Sequence, residues 1–224
     1  MKRSFLPRRY QRGQSLVEFC IVVPAFLFLI LVTLQFILIY RAKSTLDYAT
    51  FQAARKGALA GADKGKMKTA LANGMVPLFA TSPDAGGVAT ALVKAQADVR
   101  LFANLDVISP TPQAWTEHRE RQHDGRYALP NDSLAFRRNT VGSSNLSVQD
   151  ANILKIKVTY HYPLIVPFAD RVIVGLSKLV TGGESYAPPS MLVEEPVSGH
   201  RRLPIESYAV VRMQSPIHDQ ANLR

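Results

Sequence analysis

Acidic residues are almost missing from the start of this chain. Glu18 is the only one in the first 46 positions, and Lys2, Arg3, Arg8, Arg9 and Arg12 all precede it. From Phe19 to Tyr40 charge of either sign is missing, over 22 residues. Cysteine is scarce as well: Cys20 stands alone inside that run, which excludes an intrachain disulfide. There is no H-E-x-x-H, no cysteine pair and no G-x-S-x-G, so the common zinc-protease and serine-hydrolase patterns are excluded. Gly61-Ala-Asp-Lys-Gly-Lys66 is one residue too short between its glycines for a phosphate-binding loop, and Met67 stands where Ser or Thr belongs. No internal repeat or inter-domain linker is visible.

What is present is a membrane signature. About 20 apolar residues cross a bilayer core as a helix, so the run up to Tyr40 is long enough to span. It is too long for the apolar part of a secretory signal, and Arg41-Ala-Lys-Ser-Thr-Leu-Asp47 after it offers no small-x-small cleavage site. The segment is therefore expected to stay. The formal net charge is +10, and half of it lies in residues 1–13. Basic residues flanking a span hold that end in the cytoplasm, which sends the remainder across the membrane. The same accounting weakens a nucleic-acid reading of the basic composition, and no nucleic-acid partner is expected.

Glu18 sits one step from the apolar run. One explanation is an ordinary acid near a helix N-terminus, where unpartnered backbone N–H groups favour an anion. Another begins at Gly13, where a protease would find an extended chain with no side chain to clash. A cut there frees a new ammonium at Gln14, one helical turn from Glu18, which can pair with it or with that of a neighbour. Pro24 lies inside the span, removes one helical hydrogen bond and bends the helix. That bend either helps the helix leave the bilayer or is passive.

The stretch R-R-Y-Q-R-G-Q-S-L-V-E-F-C-I-V-V-P-A-F-L-F-L-I-L resembles the start of TadE-like pseudopilins, minor pilin-like proteins of the Flp/Tad branch of type IV pilus systems. The resemblance covers Arg8 to about Leu59, including the A-x-x-x-A-A-R-x-x-A stretch of Ala49–Ala58. It implies cleavage after Gly13 by a prepilin peptidase, a mature N-terminus at Gln14, and an assembly role for Glu18. It also implies a minor subunit, since the major pilins of that branch are very short. The partners implied are other pilins and pseudopilins, the prepilin peptidase and the inner-membrane assembly platform.

Beyond the membrane no helix stop appears at Tyr40. Leu46, Ala49, Ala53, Gly57 and Ala60 recur at three- and four-residue steps, which predicts one long helix ending near Gly57–Gly61. A second helix is predicted over Lys64–Phe79, a loop over Thr81–Gly87, a helix over Val88–Ala97 and a strand over Asp98–Asp106. Ser109–Gln149 reads as a long polar excursion, unusual inside a compact domain, and a candidate partner-binding surface. Ile153–Tyr162 is the clearest strand, with Leu154, Ile156, Val158, Tyr160 and Tyr162 on one face. Phe168–Val180 shifts back to a helical period, Ile205–Met213 forms a last strand, and Gln214–Arg224 reads as a loose tail. The fold class is α+β: a long N-terminal transmembrane helix continues into a pilin-like helix packed on a small antiparallel sheet. The division expected is a basic leader at 1–13, a transmembrane helix at 14–40, an extension at 41–61 and an external head at 62–224.

No chemistry emerges from the head. His118 and His123 are five apart and do not share a helix face, so with Glu117, Glu120 and Asp124 they read as a charged loop more than a zinc site. Tyr160 and Tyr162 fall on the opposite strand face from Lys157, against a base-stacking surface. No cofactor, metal or enzymatic activity is expected. A competing class is a signal-anchored periplasmic enzyme or binding module with its site in Ser109–Gln149, and a third is a membrane accessory that never enters a filament.

Overall fold

The computed structural model describes residues 14–166, 193–194 and 201–223. The leader, Gly13, the helix expected at Phe168–Val180 and His200 lie outside them. The chain divides into two compact units, one with the N-terminal residues to Leu38 and a segment beginning at Leu164, the other from Ile39 to Pro163 together with the C-terminal part.

Helix α1 runs from Gln14 to Leu59 without interruption. Its first part is apolar on every side, and within residues 16–38 only Gln35 is buried. Thr33 hides its hydroxyl by donating to the carbonyl of Leu29 at 2.8 Å, the usual way a membrane helix carries a threonine. The last part of α1, in the second unit, buries a small-residue face: Ala42, Leu46, Ala49, Ala53, Gly57 and Ala58. Close approach is the purpose of those small residues. A Cβ at Gly74 of helix α2 (Lys64–Phe79) would lie 2.7 Å from the Cα of Ala49, and one at Gly57 would run into the side chain of Met67. Asp63 caps α2, accepting the N–H of Lys66 at 3.1 Å, so the glycine–lysine stretch rejected as a nucleotide loop is a helix start.

Helix α3 spans Ala85–Phe102, with Asp84 as its cap. The predicted loop therefore ends three residues early and the predicted strand at Asp98 is helix. Val99 extends the buried four-residue series of Gly87, Ala91 and Ala95, and this period prevails over the local alternation of Val99, Leu101 and Ala103. Strand β1 follows at Ala103–Ser109.

The excursion after β1 is built rather than loose. It holds helix α4 (Pro112–His118), a two-residue ladder of β2 (Glu120–Arg121) and β3 (Tyr127–Ala128), a 3-10 turn at Leu134–Phe136 and helix α5 (Val148–Ala151). Side chains satisfy its backbone. Glu117 accepts the N–H groups of Ser143 and Ser144 at 2.7 and 3.0 Å, and its contacts to Ser144 first and Ser143 next hold its carboxyl below the ordinary value. Asn152 donates to the carbonyls of Pro130 and Val148, and Gln149 to those of Leu134 and Arg137.

Strand β4 (Ile153–Pro163) is central and pairs antiparallel with β1 on one side and with β6 (Arg201–Arg212) on the other. A short β5 (Val193–Glu194) pairs with the start of β6, giving the order β1-β4-β6-β5. The five residues expected on the core face of β4, from Leu154 to Tyr162, are all buried. β6 begins four residues before the predicted Ile205, running through Pro204. The C-terminal tail is packed, against expectation. The N–H of Gln214 and the hydroxyl of Ser215 both donate to Ala58 O, at 3.0 and 2.9 Å, closing the end of α1. Ile217 is buried and its carbonyl accepts the indole N–H of Trp115 at 2.7 Å.

Candidate functional site

The N-terminal part of α1 carries Gln14, Glu18 and Pro24 of the sequence-predicted site residues. Its backbone is helical from Gln14, so position 14 and Glu18 lie one turn apart on one face. No acid occurs in the first turn. Glu18 is thus beyond the reach of the helix-dipole explanation, which fades within that turn. Pro24 stands inside the unbroken helix, where it leaves the carbonyl of Cys20 without its usual helical donor. Val17, Phe19, Ile21, Phe26 and Leu29 are all more than half exposed, around the full circumference. Each such side chain gains roughly 1.5–3 kcal/mol on leaving water, so this helix must be covered by lipid or by other helices.

The outer part of α1 presents a second uncovered face. Tyr40, Tyr48, Phe51 and Leu59 recur at helical spacing and stay exposed, and the Arg55 guanidinium lies 5.8 Å from the Phe51 ring centre. Tyr48, Gln52, Arg55 and Leu59 also line a groove with Ala70, Asn73 and Gly74 of α2. The sequence reading drew only the small buried face from this part of the helix. The aromatic stripe recurs at the same three- and four-residue steps as the buried face, and only burial tells the two apart.

The head gathers one buried polar cluster that the sequence did not reveal. Asp98 of α3 accepts the hydroxyl of Tyr160 at 2.5 Å and the guanidinium of Arg202 at 3.2 Å. Arg202 is 4% exposed, donates also to the carbonyl of His161, and stacks on Phe102 with its carbon 3.4 Å from the ring centre. Burial first, and Asp98 second, push the Tyr160 hydroxyl far above its ordinary value. A tyrosine that holds its proton more tightly when folded contributes stability fully present below pH 10.0, its unfolded value, and lost as pH rises beyond it. The head is therefore expected to unfold in alkali with a steep dependence above that pH. Tyr160→Phe reduces the steepness, as read by circular dichroism alongside phenolate absorbance; an unchanged slope would show that the proton is not coupled to folding.

Asp98 and Arg202 form an ion pair held out of water, and Tyr160 donates to the same carboxylate. His118 is engaged with the carbonyl of Leu146 at 2.9 Å and His161 with that of Phe102 at 3.1 Å. Among the described residues no group of three or more His, Cys, Asp or Glu side chains is placed to hold a metal. On the wet sheet face Lys157 pairs with Glu206 at 2.6 Å, a contact that lowers the carboxyl and raises the amine.

No curated protein and no solved structure matches this chain. A protein-family model described as TadE-like protein matches residues 13–55. The match opens at Gly13, takes in Glu18 and Pro24, and ends four residues before the end of α1. Over residues 13–55, this chain is similar to the TadE-like protein family.

Proposed function

We propose that this protein is a minor pilin-like subunit of a Tad-type pilus or secretion filament, acting in its assembly, priming or capping. The leader is removed after Gly13 by a prepilin peptidase, and the mature chain begins at Gln14. The N-terminus starts on the cytoplasmic side of the inner membrane and the head lies outside it, an orientation supported by the five basic residues of the leader. The functional event is transfer of the apolar part of α1 from lipid into a bundle with the helices of other pilins. The observation that carries this reading is that the TadE-like segment takes in a stretch of helix, residues 19–34, that is apolar and uncovered on every side.

Glu18 then serves the mature N-terminus. Out of lipid and water, an ammonium at Gln14 needs a counter-charge, and a carboxylate one turn along supplies it. Glu18→Ala is expected to leave the chain cleaved and inserted but to reduce its recovery in sheared surface fibres to background. Glu18→Gln behaves as Ala does, since shape without charge does not neutralise an ammonium. Wild-type recovery of either variant in fibres would remove the proposed role of Glu18. Pro24 in the same segment is proposed to ease the transfer by weakening one turn of helix.

A further inference from the structure

The bond between Gln35 and Val166 sets a depth for the membrane. Gln35 is 1% exposed, and its Oε1 accepts the N–H of Val166 at 3.0 Å. Its Nε2 is buried without a partner. Leu164–Val166 is neither helix nor strand, and Ile165 between them is 57% exposed. Irregular backbone facing lipid does not occur in the hydrocarbon region, because its N–H and C=O groups find no partners there. The segment therefore stands outside the hydrocarbon and brings Gln35 with it.

We propose that the C-terminal boundary of the bilayer hydrocarbon along α1 lies at Gln35, and that Phe36–Tyr40, although apolar, stand beyond it. The proposal rests on the membrane-anchor part of the function proposed above. It has a consequence at the opposite end. A hydrocarbon core of about 30 Å takes about 20 helical residues, which counts back from Leu34 to Ser15. The uncharged residues available below Gln35 are only Phe19–Leu34, 16 in number. They cover about 24 Å, one turn too few. Glu18 is thereby drawn level with the other edge of the hydrocarbon, where a thinned bilayer or a cationic neighbour relieves it. The span sits off-centre in its own apolar run, and the acid is placed where insertion is least comfortable and lateral pairing most favourable.

Spin-label depth measurement tests this on the full chain in phosphatidylcholine vesicles. Cys20→Ala removes the native thiol, and single cysteines replace Val22, Phe26, Leu29, Ile37, Tyr48 and Ile165, all exposed positions where a label displaces no packing. Collision with oxygen against a water-soluble nickel chelate reports depth. The expected profile is deepest between Val22 and Phe26, with Ile37 and Ile165 as open to nickel as Tyr48. A profile deepest at Leu29, with Ile37 and Ile165 shielded like Phe26, overturns the boundary while keeping the anchor. Nickel access at every position overturns the anchor and the boundary together.

Discussion

Gly13→Leu is expected to leave the leader of residues 1–13 attached to every copy of the chain and to keep those copies out of fibres. The first half of this result follows from the extended chain a protease must hold, in which a branched side chain replaces no side chain at all. The second follows from charge. Lys2, Arg3, Arg8, Arg9 and Arg12 remain on the uncut N-terminus. Each costs about 3 kcal/mol at the centre of a bilayer, so an end carrying five stays where it is. It also cannot be packed among apolar helices. Intact mass separates this variant from those at Glu18, which lose fibre incorporation while keeping the cleaved mass. A Gly13→Leu chain with the mature mass would refute the processing step and leave the helix itself untouched.

Asp98→Ala is expected to produce the largest loss of stability in the head. The substitution leaves the Arg202 guanidinium 4% exposed, without the carboxylate 3.2 Å away. It also strips the Tyr160 hydroxyl of its acceptor. Removing one partner of a buried pair costs about 3–5 kcal/mol, because the remaining charge stays out of water. For a unit of this size that lowers Tm by roughly 10 °C. The pair itself is not expected to be a large source of stability, since replacing both members by apolar residues of similar volume is often neutral. Asp98→Leu combined with Arg202→Met is therefore expected to recover much of the loss, as read by thermal unfolding of the detergent-solubilised chain. A double variant no better than Asp98→Ala would show that Arg202 does something beyond answering Asp98.

The parts of the fold legible in the sequence are those with a long, uninterrupted period. The apolar run and the small-residue face after it gave α1 to within two residues of its end, and α2 fell at Lys64–Phe79 as expected. β4 alternates cleanly because one of its faces packs on the core and the other stays wet, so its buried residues were predictable singly. The misreading at Asp98–Asp106 came from a helix that runs straight into a strand at Ala103, with no capping residue or glycine between them. A few residues there fit both periods, and only burial decides. The excursion Ser109–Gln149 was opaque because its order comes from side chains bonding distant backbone, such as Glu117 to Ser143 and Asn152 to Pro130. The packed tail was hidden for a related reason: its partner is the end of α1, more than 150 residues away in sequence.

The candidate site divides in the same way. Gly13, Gln14, Glu18 and Pro24 form a local pattern, and their proposed roles come from the residues together with the resemblance to TadE-like pseudopilins. The Tyr48–Phe51–Leu59 stripe and the depth mark at Gln35 required knowing which side of α1 is already covered. The stripe is what the head leaves open, and the mark is what Val166 touches.

The most direct test of the central claim is mass analysis of fibres sheared from intact cells. A pilin-like subunit predicts this chain among the sheared material, with its N-terminal peptide beginning at Gln14. Recovery of the chain only in the membrane fraction, still beginning at Met1, would contradict it.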